Sequence, residues 1–221
     1  MHVPVIQQIL KANDQVALEN EKLFRAAGVR VVNVMASPGA GKTSLILQAL
    51  DRLTRLPAPL GAGVIEGDIA SSIDADLIAA HGVPVMQINT GGNCHLDAPM
   101  IRSALEHLPL NAIDVLFIEN VGNLICPANY RLGADLNLVI ASVPEGHDKP
   151  YKYPGMFANA DIVALNKYDL ADVFEFDDAA FDHGVRMVNP TVPIHRVSAR
   201  TGAGVEACLL ALLQQLAPQP A

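Results

Sequence analysis

Ala36-Ser37-Pro38-Gly39-Ala40-Gly41-Lys42-Thr43 follows one apolar run and precedes a segment of helical period. It matches the phosphate-loop pattern G-x-x-x-x-G-K-[ST], with Ala36 in place of the first glycine. Small residues let successive backbone N–H groups curl around a phosphate, and the N-terminus of the helix adds partial positive charge. Lys42 is placed to reach the β- and γ-phosphates, and Thr43 to give its hydroxyl to Mg²⁺. Pro38, Gly39, Ala40, Gly41 and Ser44 complete the expected cradle. Alanine at position 36 is less at ease than glycine if the loop needs positive φ there.

On either side of this loop, short β-rich runs alternate with longer helical patterns. Strands are expected at residues 29–35, 62–66, 84–88, 114–119, 136–142, 161–166 and 193–197, several of them apolar without alternation. Residues 43–53 carry Leu45, Ile46, Ala49, Leu50 and Leu53 at helical spacing, and residues 71–80, 98–108 and 205–216 read similarly. The fold class that follows is α/β, a doubly wound and mostly parallel sheet of the P-loop NTPase kind, with ligands beyond the carboxyl ends of the strands. Residues 1–27 form a helical extension ahead of a domain spanning 28–221. Val5, Ile9, Val16, Leu23 and Phe24 give that extension an apolar face, which suits packing on its own domain and a partner contact equally.

Asn166-Lys167-Tyr168-Asp169 ends the sixth strand in the N-K-x-D pattern of guanine-specific NTPases. The Asp169 carboxylate would accept from guanine N1–H and its exocyclic amine, whereas adenine offers an acceptor at N1 and nothing at C2. Asn166 can bond the purine or tie neighbouring loops together, and the Lys167 stem can cover the ring. Ser198-Ala199 resembles the loop whose backbone N–H meets guanine O6. GTP is therefore favoured over ATP.

An acidic residue should close an apolar strand near the Mg²⁺. Glu119, in Glu119-Asn120-Val121-Gly122, stands where many GTPases have D-x-x-G, and the Gly122 N–H could sense the γ-phosphate. Asp68, in Glu66-Gly67-Asp68, is a second candidate, and both also suit ordinary polar strand ends. No glutamine or arginine finger declares itself, so slow intrinsic hydrolysis is expected. Cys94-His95 and Cys126 lie in loops after the third and fourth strands, where they can converge. Two thiolates and an imidazole suit Zn²⁺ or Ni²⁺, and an incomplete set suits a releasable metal, although the spacing alone also fits two unrelated cysteines. Cys126 comes seven residues after Glu119, on the segment that would respond to the γ-phosphate.

The 221 residues carry 51% hydrophobic and 17% charged side chains, which excludes disorder and coiled coil. A net charge of −8 argues against nucleic-acid or anionic-lipid binding through the overall field. Three cysteines, no signal-peptide pattern and no membrane-length apolar run lead to the expectation of a cytoplasmic protein. Cys208, among Leu209, Leu210 and Leu212, reads as core packing, and Pro218-Gln219-Pro220 as a frayed tail.

Taken together, these segments resemble the hydrogenase nickel-incorporation GTPases of the HypB family. Ser37–Thr43, Glu66-Gly67-Asp68, Asn89-Thr90-Gly91 with Cys94-His95-Leu96-Asp97-Ala98, and Phe117–Leu124 with Cys126-Pro127 carry the likeness. Glu145-Gly146, Asp148-Lys149-Pro150, Lys152-Tyr153-Pro154 and Asn166–Asp169 extend it in family order. The resemblance implies a GTP-hydrolysing metallochaperone that helps load Ni²⁺ into the large-subunit precursor of [NiFe]-hydrogenase. It implies a nucleotide-promoted homodimer, with Cys94, His95 and Cys126 binding Ni²⁺ or Zn²⁺ at the subunit interface. A HypA-type nickel and zinc maturation protein is the implied partner, docking near the N-terminal helix. Lys149 and Lys152 are then either nucleotide or cross-subunit contacts, or solvated lysines. The family places a small residue at the first loop glycine, so Ala36 fits it. Many members carry an N-terminal cysteine-rich or histidine-rich metal motif; here only His2 precedes the first strand, and no separate nickel site is expected there. Gly92-Asn93 also replaces the common K-G before C-H.

Other readings keep part of the motif set. A P-loop kinase or ATPase conflicts with N-K-x-D, and a partitioning-type ATPase would need an extra lysine that Ser37-Pro38 does not supply. A GTP-dependent assembly switch with structural cysteines, or a urease-type accessory GTPase, keeps the nucleotide site and differs in cargo.

Overall fold

The computed structural model describes residues 5–69 and 73–217, with side chains in the first helix from Gln8 onward. Val5 as part of an apolar face, the helix start at Ser71 and the tail at Pro218–Pro220 lie outside the described residues or side chains.

Seven strands form one parallel sheet: β1 (Arg30–Ala36), β2 (Ala62–Asp68), β3 (Val85–Asn89), β4 (Val115–Glu119), β5 (Leu136–Ser142), β6 (Ile162–Asn166) and β7 (Ile194–Arg196). Their spatial order is β3-β2-β4-β1-β5-β6-β7. Strand order therefore reverses about β1, and the phosphate loop leaves β1 at that switch point. The eight α-helices among the described residues are α1 (Val5–Ala27), α2 (Lys42–Leu53), α3 (Ile73–Ala79), α4 (Ala98–Leu105), α5 (Lys149–Lys152), α6 (Pro154–Ala158), α7 (Asp178–Val188) and α8 (Val205–Leu216).

Both faces of the sheet are covered. Leu45, Ile46, Ala49, Leu50 and Leu53 of α2 pack with Val205, Leu209 and Leu212 of α8 over Val32 and Val34. Cys208 sits in that layer. On the opposite face, α1 and α4 cover Val31, Leu116 and Ile118, while α6 and α7 cover Val139, Val163 and Leu165. This double coverage explains the unbroken apolar strands.

The elements differ from expectation in three ways. The helix expected over residues 98–108 ends at Leu105, because His107 and Leu108 donate to Ala104 and Leu105 in a tighter turn before Pro109. The short α5 and α6 lack a long apolar period, and α7, which buries Phe181, Gly184 and Val185 at helical spacing, is a further helix beyond those expected. Most unexpected is the face by which α1 packs. Asn13, Ala17, Asn20 and Phe24 are buried, whereas Ile9 and Leu23 are exposed. Asn13 accepts from Ala98 N–H at 2.8 Å and donates to the Arg131 carbonyl at 2.8 Å. Asn20 donates to the Ala98 carbonyl and accepts from Arg102 Nε. The asparagines satisfy backbone groups that the start of α4 and the 131–132 turn would otherwise bury unpaired. No described helix is long and apolar enough to cross a membrane.

Candidate functional site

The phosphate loop is braced from two sides. Asn166, 1% exposed at the end of β6, donates to the Ala40 carbonyl at 2.9 Å and accepts from Ala199 N–H at 3.0 Å. Lys167 adopts φ 57° and donates to the Gly39 carbonyl at 2.7 Å. Of the two roles open to Asn166, the structure shows loop tying. It also commits the Ala199 N–H, expected at guanine O6, to Asn166, whose buried amide oxygen needs a donor. Ser198 is buried and accepts from Thr201 N–H through its hydroxyl. Gly41 has φ 96°, and a Cβ there would lie 2.5 Å from Asn166 Nδ2. Glycine is thus required for both backbone conformation and approach.

Gly41, Ser44, Asn166, Lys167, Asp169, Ala199 and Arg200 line a cleft of about 410 Å³ beside the loop. The Asp169 carboxylate lies 3.5 Å from Arg200 Nε, within this cleft. On the other side of the phosphate loop, Ser37 donates to Glu145, which also accepts from the Ser142 hydroxyl at 2.6 Å. Burial pushes the Glu145 carboxyl upward.

Lys42 and Thr43 open α2, and Thr43 Oγ1 donates to Glu119 Oε1 at 2.8 Å. Glu119 is 2% exposed and its Oε2 has no hydrogen-bond partner. Burial raises its carboxyl to about 7, against the lowering influence of Lys42 and the Thr43 hydroxyl. Gly122 lies against Pro38; a Cβ on it would be 3.0 Å from the Pro38 Cα. Glu66, which sequence reasoning passed over in favour of Asp68, is the register partner of Glu119 on adjacent strands. It is 3% exposed, its Oε2 is also unpartnered, and burial followed by the charge of Glu119 raises its carboxyl to about 8. Asp68 is half-buried, and its Oδ1 accepts from Ile69 N–H at 2.6 Å. Two orphaned buried carboxylate oxygens beside a hydroxyl and a lysine fit a hard divalent cation, and Mg²⁺ suits that oxygen set.

The metal candidates converge. The ligand atoms of Cys94, His95 and Cys126 all lie within 4.8 Å of one another. Cys94 Sγ is 2.9 Å from Cys126 Sγ, and neither is in a disulfide. The His95 ring stacks on Tyr130 with centroids 3.8 Å apart. Burial lowers the His95 pKa, which favours the neutral, ligating imidazole. The hydrogen bond with Cys94, and then burial, push the Cys126 thiol upward. Two thiols and an imidazole brought together in this way suit Ni²⁺ or Zn²⁺.

A switch-point phosphate loop, buried carboxylates beside it and N-K-x-D beyond it define a P-loop nucleotide-binding protein that also brings together three candidate metal ligands. Residues 30–196 match the family described as CobW/HypB/UreG, nucleotide-binding domain. The chain is 49% identical over 199 residues to the hydrogenase maturation factor HypB of Azotobacter vinelandii, covering 90% of this chain and 65% of that protein. It therefore spans about two thirds of the length of that curated relative. The crystal structure of HypB from Helicobacter pylori in complex with nickel matches with a TM-score of 0.87 and 39% identity, covering 93% of this chain and 95% of that one. HypB from Archaeoglobus fulgidus matches with a TM-score of 0.86 and 35% identity, over 94% and 100% of the two chains. The chain belongs to the HypB family.

Proposed function

We propose that this is a cytoplasmic, GTP-hydrolysing metallochaperone that assists nickel insertion during [NiFe]-hydrogenase maturation. The observation that carries the reading is that the phosphate loop, the guanine motif and the Cys94/His95/Cys126 cluster occupy one edge of the sheet. Residues 119–126 connect the carboxylate beside Thr43 to a cluster thiol. Ni²⁺ is the cargo in this reading, and it is the metal in complex with which the H. pylori HypB was crystallised.

Lys42 then holds the β- and γ-phosphates, Asp169 reads the guanine edge, and Asn166 and Lys167 keep the loop shaped to receive both. Thr43 and Glu119, with Glu66 or Asp68, hold Mg²⁺, which supplies charge neutralisation at the phosphate oxygens. No arginine or glutamine finger declares itself in the sequence, so intrinsic turnover should be slow. Residues 28–221 act as the GTPase domain, and residues 1–27 as the extension on which a HypA-type partner docks. GTP promotes a homodimer, and nucleotide state sets metal affinity before transfer toward the hydrogenase large-subunit precursor.

Two assays test this. Purified protein should hydrolyse GTP but not ATP, with GDP competing and ADP not. Cells lacking their own HypB should regain hydrogenase activity with the wild-type chain and not with Cys94→Ala/Cys126→Ala. Full maturation by that double variant would favour an assembly switch with structural cysteines.

A further inference from the structure

Cys94 and Cys126 lie after β3 and β4, which are not neighbours; β2 stands between them. The loop carrying Cys94 and His95 must therefore cross the carboxyl end of β2 to meet Cys126. Its first anchor is Thr90, whose N–H donates to the Asp68 carbonyl at 2.9 Å. Its second anchor is Leu96, directly after the ligand pair. The Leu96 N–H donates to Asn120 Oδ1 at 3.1 Å. The Leu96 side chain is fully buried and seated on Gly67, where a Cβ would lie 2.7 Å from both Leu96 Cγ and Cδ1.

Both contacts of Leu96 fall on the carboxylate-bearing segments of the nucleotide end. Gly67 separates Glu66 from Asp68, and Asn120 follows Glu119. Asn120 is itself fixed on every side. Its Oδ1 also accepts from Val121 N–H, its Nδ2 donates to Asn33 Oδ1 at 3.2 Å, and its N–H donates to the Val34 carbonyl. Asn33 continues the chain to Asn137 at 3.0 Å. The Asn120 amide is 0% exposed, so a shift of this residue cannot be absorbed by water. Two residues on, Gly122 rests on Pro38, and Asn123 N–H donates to the Ala36 carbonyl. The segment holding Leu96 is thereby tied to the phosphate loop.

We propose that Leu96, seated on Gly67 and bonded to Asn120, is the positioning residue through which nucleotide state moves Cys94 and His95 relative to Cys126. This rests on the metallochaperone reading above and names the path of its coupling. A displacement of residues 119–122 by the γ-phosphate pulls the Leu96 N–H, and a displacement of 66–68 pushes its side chain. Either motion changes the spacing of the ligand set without touching a ligand. Gly67 is glycine because the crossing loop leaves no room for a Cβ.

The test is a Ni²⁺ titration, followed by thiolate-to-nickel absorption, with GDP and with a non-hydrolysable GTP analogue. Wild type, Gly67→Ala, Leu96→Ala and the double variant would be compared, with far-UV dichroism as the folding check. Gly67→Ala should lower nickel affinity roughly tenfold, as loss of an outer-shell support does, and bring the GDP-to-analogue affinity ratio toward one. Removing the colliding side chain in Gly67→Ala/Leu96→Ala should restore nickel affinity above that of Gly67→Ala. If Gly67→Ala does not fold, Leu96→Ala alone removes the same contact and should flatten the same ratio. A folded Gly67→Ala or Leu96→Ala with wild-type affinity and wild-type ratio would overturn the proposal. A wild-type protein that binds nickel equally in both nucleotide states would instead remove the coupling on which it rests.

Discussion

The two ends of the site are built on different principles. At the nucleotide end Glu66, Glu119 and Asn166 are almost fully buried while Lys42, Thr43 and Lys167 are half-buried, and Asn166 and Lys167 at the end of β6 hold the phosphate loop by its own carbonyls. At the metal end, Cys94, His95 and Cys126 are half-buried on loops, held by a stacked tyrosine and by backbone ties beyond the ligands. In the proposed reading, guanine nucleotide would meet a cradle already in shape, whereas the metal would meet a set that small loop shifts can open. The proposed carrier would need that asymmetry, since the energy source must be gripped and the cargo released.

The largest expected effect comes from breaking the rigid side. Gly41→Ala forces a Cβ onto Asn166 in a left-handed conformation and should weaken GTP binding about 100-fold, or roughly 2.7 kcal/mol. Calorimetry with GDP and a GTP analogue measures it; near-wild-type affinity would mean the bracing is unimportant. On the adjustable side, Cys94→Ala should lower nickel affinity by about tenfold or more, because one of three ligands is lost. Competition with a chelator of known affinity would check this, and nucleotide binding without metal should persist.

An effect of a different kind should appear in the stability of the nucleotide-free protein. Glu66 and Glu119 are raised to about 8 and about 7, from an ordinary 4.5. The folded state therefore favours their protonated forms. The stability this contributes is complete below pH 4.5 and disappears as pH rises toward 8. Denaturant melts in chelator should show a loss on the order of 2 kcal/mol across that window. Glu66→Gln should flatten most of the slope, and an unchanged slope would remove Glu66 as its source. The smallest effect distinguishes the cysteines. Burial pushes Cys208 up to about 12, so a thiol reagent should modify Cys94 and Cys126 in native protein and Cys208 only on unfolding.

What could be read from the sequence follows the range of the interactions. The phosphate loop and N-K-x-D are local patterns, and the strands show as apolar runs because both faces are covered. Glu66 was passed over because its role depends on the pairing of β2 with β4, which no local pattern carries. Asn13, Asn20, Asn33 and Asn120 were invisible as interior residues, since asparagine is ordinarily exposed and only the backbone groups around it explain its burial. The sequence places Cys94-His95 and Cys126 on loops free to converge, and their ligand atoms do lie close together, but that one loop must cross β2, with Gly67 beneath it, follows only from the strand order.

The most direct test of nucleotide-controlled metal carriage is a pair of reciprocal titrations at matched oligomeric mass: Ni²⁺ into the GDP-bound and analogue-bound protein, and each nucleotide into the nickel-loaded and metal-free protein. Linkage requires one coupling factor from both directions. The expected result is a factor clearly different from one and equal in the two titrations. Tight guanine binding and tight nickel binding with a factor of one would contradict it.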